Sequence, residues 1–129
     1  MRVKIVDASA MGALVFGEPR AAEIAGVLTE APIAAPALIW FELASICLKK
    51  IKAHPQQTDQ ILEAFTLSRR LPIEIIAVEH SKVIGLAGDT GLSTYDATYL
   101  WLTHSLRGDL VTLDRELAEA AARLKISHL

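Results

Sequence analysis

The chain has one cysteine, Cys47, among its 129 residues. An internal disulfide is therefore excluded, and the count fits a reducing compartment. Cys47 stands in an apolar run and reads as a small core residue. An excess of one charge is also lacking: 13 Lys and Arg stand against 15 Asp and Glu, a net of −2. The composition thus carries no electrostatic footprint for nucleic acid. Such contact would have to use local clusters, Lys49, Lys50 and Lys52 or Arg69 and Arg70, which on helix surfaces are usually just solvated. No uninterrupted apolar run is long enough to span a bilayer. The first 17 residues, interrupted by Asp7, lack the ordered basic, apolar and cleavage regions of a secretion signal. The expectation is a soluble cytoplasmic protein with no membrane attachment. His54, His80, His104 and His128 are scattered, and none has a His or Cys partner one helical turn away, so no His/Cys set competes for a transition metal. Internal repeats, low-complexity tracts and linkers are absent as well.

What is present is apolar. Hydrophobic residues make up 52% of the chain, which excludes disorder and is slightly rich for a globular domain. The length suits a single domain over residues 1–129 with a core of its own. The apolar surplus points to a subunit interface or a protein partner.

Short apolar runs alternate with helical stretches. RVKIV (2–6) reads as a buried strand ended by Asp7, with a short helix following over 11–16. Pro19 suits the first turn of a second helix, PRAAEIAGVLTE, which Pro32 stops. A brief strand fits 33–35. LIWFELASICLKKIKA (38–53) is a helix with apolar residues on most faces, broken at His54-Pro55, and residues 56–71 form its hairpin partner. IEIIAV (73–78) is a strand, residues 80–91 a helix, and LSTYDATYLWLT (92–103) starts another that ends near Arg107-Gly108. DLVTL (109–113) is a strand, 114–124 a helix, and KISHL a possible last strand. Strands this short and apolar belong in a parallel sheet covered on both faces.

In such sheets, sites form at the carboxyl ends of the strands, and four acids fall there. Asp7 ends the first strand and Asp114 ends DLVTL. Glu42 lies about one turn into the helix after the second strand, and Asp96 lies in the first turn of the helix before DLVTL. Each has a plainer reading. Asp7 and Asp114 suit N-caps, Ser93 and Asp96 have the spacing of a capping box, and Glu42 would pair with a lysine or lie on a narrow exposed stripe. Capping does not explain Glu42 within LIWFELASI, nor why all four gather at one edge. Clustered carboxylates repel one another and raise each other's pKa. A divalent cation relieves this, and an oxygen-only ligand set suits Mg²⁺ or Mn²⁺.

The sequence resembles the PIN-domain nucleases, most closely the VapC toxins of toxin–antitoxin pairs. VDAS (6–9) resembles the segment carrying the family's first acid, at Asp7, and WFELAS (40–45) the second, at Glu42. LSTYDATYLWLT resembles the third, at Asp96, and LVTLDREL (110–117) the fourth, at Asp114. Ser9 and Thr112 stand where the family often has hydroxyls supporting the metal site. The resemblance implies a three-layer α/β/α fold with a four- or five-stranded parallel sheet. It implies a Mg²⁺- or Mn²⁺-dependent endoribonuclease in which the four acids are catalytic and metal-binding, cutting RNA to leave a 5′-phosphate. It also implies a homodimer and a VapB-type antitoxin laid over a groove that includes part of 38–71. Two alternatives stay open: an RNA-processing PIN nuclease outside any toxin–antitoxin pair, and a PIN-like binding module that does not cut. A phospho-acceptor signalling domain fits poorly, because VDAS supplies one acid and IIAVEHS has no Asp at its strand end.

Overall fold

Ile5 and Val6 are adjacent, fully buried, and belong to different cores. This follows from the two-residue period of a strand, which sends neighbouring side chains to opposite faces. Leu110 and Val111 divide in the same way. The strands that carry them are therefore covered on both sides, giving the three-layer α/β/α arrangement expected.

The computed structural model describes residues 2–129. In chain order the elements are β1 (Lys4–Val6), α1 (Ala8–Val15), α2 (Ala21–Leu28), β2 (Ile33–Ala35), α3 (Leu38–Ala53), a 3₁₀ turn (Pro55–Gln57), α4 (Thr58–Ser68), β3 (Ile73–Ile75), α5 (His80–Thr90), α6 (Thr94–Leu106), β4 (Asp109–Val111) and α7 (Arg115–Arg123). The four strands are all parallel, in the order β3-β2-β1-β4. On one face Val6, Ala35 and Val111 pack with Met11, Ile24, Leu28, Ile39 and Leu43 of α1–α3, and Phe65 of α4 joins them. On the other, Ile5 and Leu110 pack with Val83, Tyr99, Leu100 and Leu117 of α5–α7.

The element order matches the sequence reading, while several ends differ. α1 begins at Ala8, three residues earlier than expected, because the Asp7 carboxylate caps it and accepts from the Ala10 N–H at 3.0 Å. α2 begins at Ala21 rather than at Pro19. The strands are three residues long, since only those residues find ladder partners. KISHL adds no strand. It contributes one isolated β-bridge, between His128 and Leu110.

Entry into β4 depends on two adjacent residues. Arg107 ends α6 in the left-handed region at φ 52°, and Gly108 follows against β1. A Cβ on Gly108 would lie 2.5 Å from the Val3 carbonyl oxygen. Only glycine lets the chain come close enough for the Asp109 N–H to reach that same oxygen, at 2.9 Å. The β1–β4 pairing that follows places the ends of both strands side by side.

Candidate active site

At the carboxyl end of β1, Asp7 is 5% exposed and makes no ion pair with any Lys or Arg among the described residues. Hydroxyls and one amide hold it instead. Its Oδ1 accepts from Ser9 Oγ at 2.7 Å and from the Ala10 N–H, and its Oδ2 accepts from Thr112 Oγ1 at 2.5 Å. Ser9 Oγ in turn accepts from the Leu113 N–H at 2.9 Å, and Thr112 Oγ1 accepts from the Asp114 N–H at 3.0 Å. The two hydroxyls thus tie the end of β1 to the segment leaving β4. Burial pushes the Asp7 carboxyl above its ordinary value. Its hydrogen bonds oppose that, and the charge of Asp114 adds to it.

Asp114 is the N-cap of α7, and its Oδ1 accepts from the N–H groups of Glu116 and Leu117 at 2.9 and 3.2 Å. Both capping readings made from sequence therefore hold, and they coexist with placement at the edge. A cap fixes a carboxylate at a helix N-terminus, where the helix dipole favours its charge. Ser93 caps α6 by accepting from the Asp96 N–H at 3.1 Å, which is half of the capping box suggested by S-x-x-D. The Asp96 side chain is left half-buried at the edge. Burial raises its pKa, and the charges of Asp114 and Glu116 raise it further.

Glu42, also half-buried, comes from the second turn of α3. Its Oε1 accepts from the Tyr99 hydroxyl at 2.5 Å. Burial raises its pKa, and the charges of Asp96 and Asp7 add to this against the Tyr99 hydrogen bond. Tyr99 is 1% exposed in the core beneath α6, and its phenol is pushed far upward by burial and by Glu42, so it remains a donor.

The fold gathers these residues around one open cavity of about 670 Å³, lined by Asp7, Ser9, Glu42, Asp96, Tyr99 and Asp114 among others. Thr112 lies behind Asp7. The carboxylates feel one another electrostatically, yet among the described residues no three acidic, His or Cys side chains already form a group that could hold an ion. Sequence reasoning did not single out Tyr99 or Glu116. A signal existed for Tyr99, because residues three apart share a helix face and Tyr99 stands three after Asp96.

The family model of the PIN domain matches residues 4–123. The ribonuclease VapC3 of Pyrobaculum aerophilum is 28% identical over 120 residues, covering 89% of this chain and 92% of that protein. The crystal structure of PAE2754 from Pyrobaculum aerophilum has a TM-score of 0.74 at 22% identity, covering 92% of this chain and 84% of that one, a likeness of fold.

Proposed function

Because the chain belongs to the PIN-domain family, we propose that it is a metal-dependent endoribonuclease of the VapC toxin type, a single PIN domain acting in the cytoplasm. The observation that carries the reading is the cavity itself. Four carboxylates from four separate segments line it, three of them with raised pKa, and no described Lys or Arg pairs with them. Unneutralised anions that share one cavity favour a cation.

The donor chemistry fits Mg²⁺ or Mn²⁺, being hard, anionic and made of oxygen alone. Asp7 and Asp96 would hold such an ion, with Glu42 and Asp114 binding directly or through water. Since the carboxylates do not yet converge, binding would draw their side chains together. A bound ion supplies Lewis-acid activation of water and neutralises charge developing at phosphorus. The residues supply the positioning. Ser9 and Thr112 hold the Asp7 carboxylate by its two oxygens. Tyr99 keeps one oxygen of Glu42 occupied, and Glu42 lines the cavity. One of Glu42 and Asp114 would orient the attacking water, and breakage on the 3′-oxygen side would leave a 5′-phosphate.

No helix among the described residues is long and apolar enough to cross a membrane. Phe41 and Tyr95, on the wall of the acid cavity, are 74% and 62% exposed. An apolar rim around an acidic cleft supports the VapB-type antitoxin reading, with a partner segment lying over the site. Leu62, Leu67 and Leu71, also exposed, offer apolar ground for a homodimer.

The test is incubation of the purified protein, free of any antitoxin, with total RNA in Mg²⁺, in Mn²⁺ and in EDTA, beside Asp96→Asn. Discrete fragments that require metal and disappear in the variant are expected, together with a rise in melting temperature on adding Mn²⁺. Full cleavage by Asp96→Asn would overturn the assignment of that residue. Folded protein that neither binds Mn²⁺ nor cuts RNA would overturn the nuclease reading.

A further inference from the structure

We propose that an apolar cavity beside the acids seats a nucleobase flanking the phosphodiester they cut, with Tyr95 as its stacking face. The inference rests on the nuclease reading above. The cavity, about 510 Å³, lies between the entry to α3, the segment after β3, and the first turns of α5 and α6. It shares a wall with the acid cavity, since Leu38 and Tyr95 line both. The period of α6 sorts its residues between the two. Thr94 and Thr98, four apart, face the apolar cavity, Asp96 and Tyr99 face the acids, and Tyr95 belongs to both. A phosphodiester at the acids therefore has the Tyr95 ring within reach of its neighbouring nucleotide.

The lining suits a base better than a phosphate. No Lys, Arg, Asp or Glu contributes to it. Tyr95 and Ile84, 62% and 63% exposed, offer open apolar faces. Edge recognition has candidates too. His80 and Thr94 lie on the wall. The chain leaves the sheet there after the Ile76 N–H donates to the Ala35 carbonyl, and Ala77 and Val78 make no backbone hydrogen bond among the described residues. Single-stranded RNA is commonly read in this way, by stacking on an aromatic ring with hydrogen bonds to the base edge. Stacking of this kind corresponds to about tenfold or more in affinity per base. An apolar side chain of a protein partner would fill the same volume, but the wall shared with the acids favours a part of the substrate.

The test uses hairpin RNAs with a randomised loop, cut in Mn²⁺ and sequenced at the new ends. Wild type should show a skewed base composition at one position flanking the cut. Tyr95→Ala should flatten that skew and raise KM about tenfold or more, Ile84→Trp should flatten it by filling the cavity, and Tyr95→Phe should retain it. In a second arm, single-stranded oligonucleotides carrying 2-aminopurine are titrated into the Asp7→Asn protein, where binding is read without cutting. Fluorescence should be quenched with Tyr95 present and not in the Tyr95→Ala double variant. Cleavage by Tyr95→Ala with unchanged preference and KM would overturn the base site, leave the nuclease reading standing, and assign the cavity to a protein partner. Quenching that depends on Tyr95, from a wild-type protein that cuts nothing, would overturn the nuclease reading and keep the base site. Absence of quenching in the presence of Tyr95 would overturn the base site.

Discussion

Asp7 and Asp109 sit at opposite edges of the same sheet, one just past β1 and the other opening β4, and they are 5% and 6% exposed. Their surroundings differ completely. Asp109 lies between Lys4, whose ammonium donates to Oδ2 at 2.7 Å, and Arg2, whose Nε stands 3.1 Å from Oδ1, and Ser127 donates to Oδ1 at 2.5 Å. Burial pushes its pKa up, but Lys4, Ser127 and Arg2 outweigh that and hold it below its ordinary value. Asp7 meets hydroxyls and other acids and shifts the opposite way. Burial alone does not distinguish these two carboxylates; the charges facing them do. The amino edge is neutralised from within the chain, whereas the carboxyl edge is left short of positive charge.

The largest expected effect comes from breaking the unpaired side. Asp7→Asn keeps the shape but removes a charge, and its amide nitrogen can no longer accept from one of the two hydroxyls that hold the carboxylate. Losing several kcal/mol of transition-state stabilisation should slow RNA cleavage by about 10³-fold or more, measured with a defined RNA in Mn²⁺. Its metal-free melting temperature should match or exceed that of wild type, because repulsion is relieved. The same change on the paired side should do the reverse. Asp109→Asn leaves the Lys4 ammonium, itself only 15% exposed, without its anion. It should cost about 2 kcal/mol, within the range for hydrogen bonds to charged groups, with cleavage at saturating metal little changed. Denaturant titration of both variants reads the contrast, and equal losses of stability would break it.

Tyr99→Phe sharpens the comparison at the carboxyl edge. It removes the one hydroxyl on Glu42 without opening a cavity. Loss of a group that orients a ligand should weaken Mn²⁺ binding about tenfold, read by calorimetry, with global stability nearly kept. The smallest effect concerns acid. Because the folded pKa of Asp109 is depressed, its contribution to stability is present above the ordinary value of 3.8 and is lost as pH falls through the lower folded value. The stability gap between wild type and Asp109→Asn should therefore narrow below about pH 4 in urea titrations across pH.

The carboxyl edge was far more legible in the sequence than the amino edge. Asp7, Glu42, Asp96 and Asp114 are betrayed by position, each following an apolar run or interrupting one, and all four line one cavity. Nothing comparable marks Asp109, whose partner Lys4 lies 105 positions away and whose meaning depends on β1 and β4 being neighbours. The order of elements was legible because Pro32, Pro72 and Gly91 punctuate it. The ends of strands were not. Hydrophobicity extends beyond the ladder, so Ile76 and Val78 are apolar yet lie past the last residue of β3. Tyr99 was hidden by its own chemistry, since a phenol ring fills a core like any other and its hydroxyl shows its purpose only once Glu42 is in place.

The bond from Thr112 to Asp7 spans 105 positions of sequence, and that separation has a temporal side. During synthesis the amino-terminal part of a chain emerges first. A nascent chain that has displayed Asp7 and Glu42 still lacks Thr112 and Asp114 until β4 has left the ribosome and inserted beside β1. Under the nuclease reading, an enzyme made within reach of ribosomal and messenger RNA stays inert until β4 and the segment after it have emerged, because they complete its cutting centre.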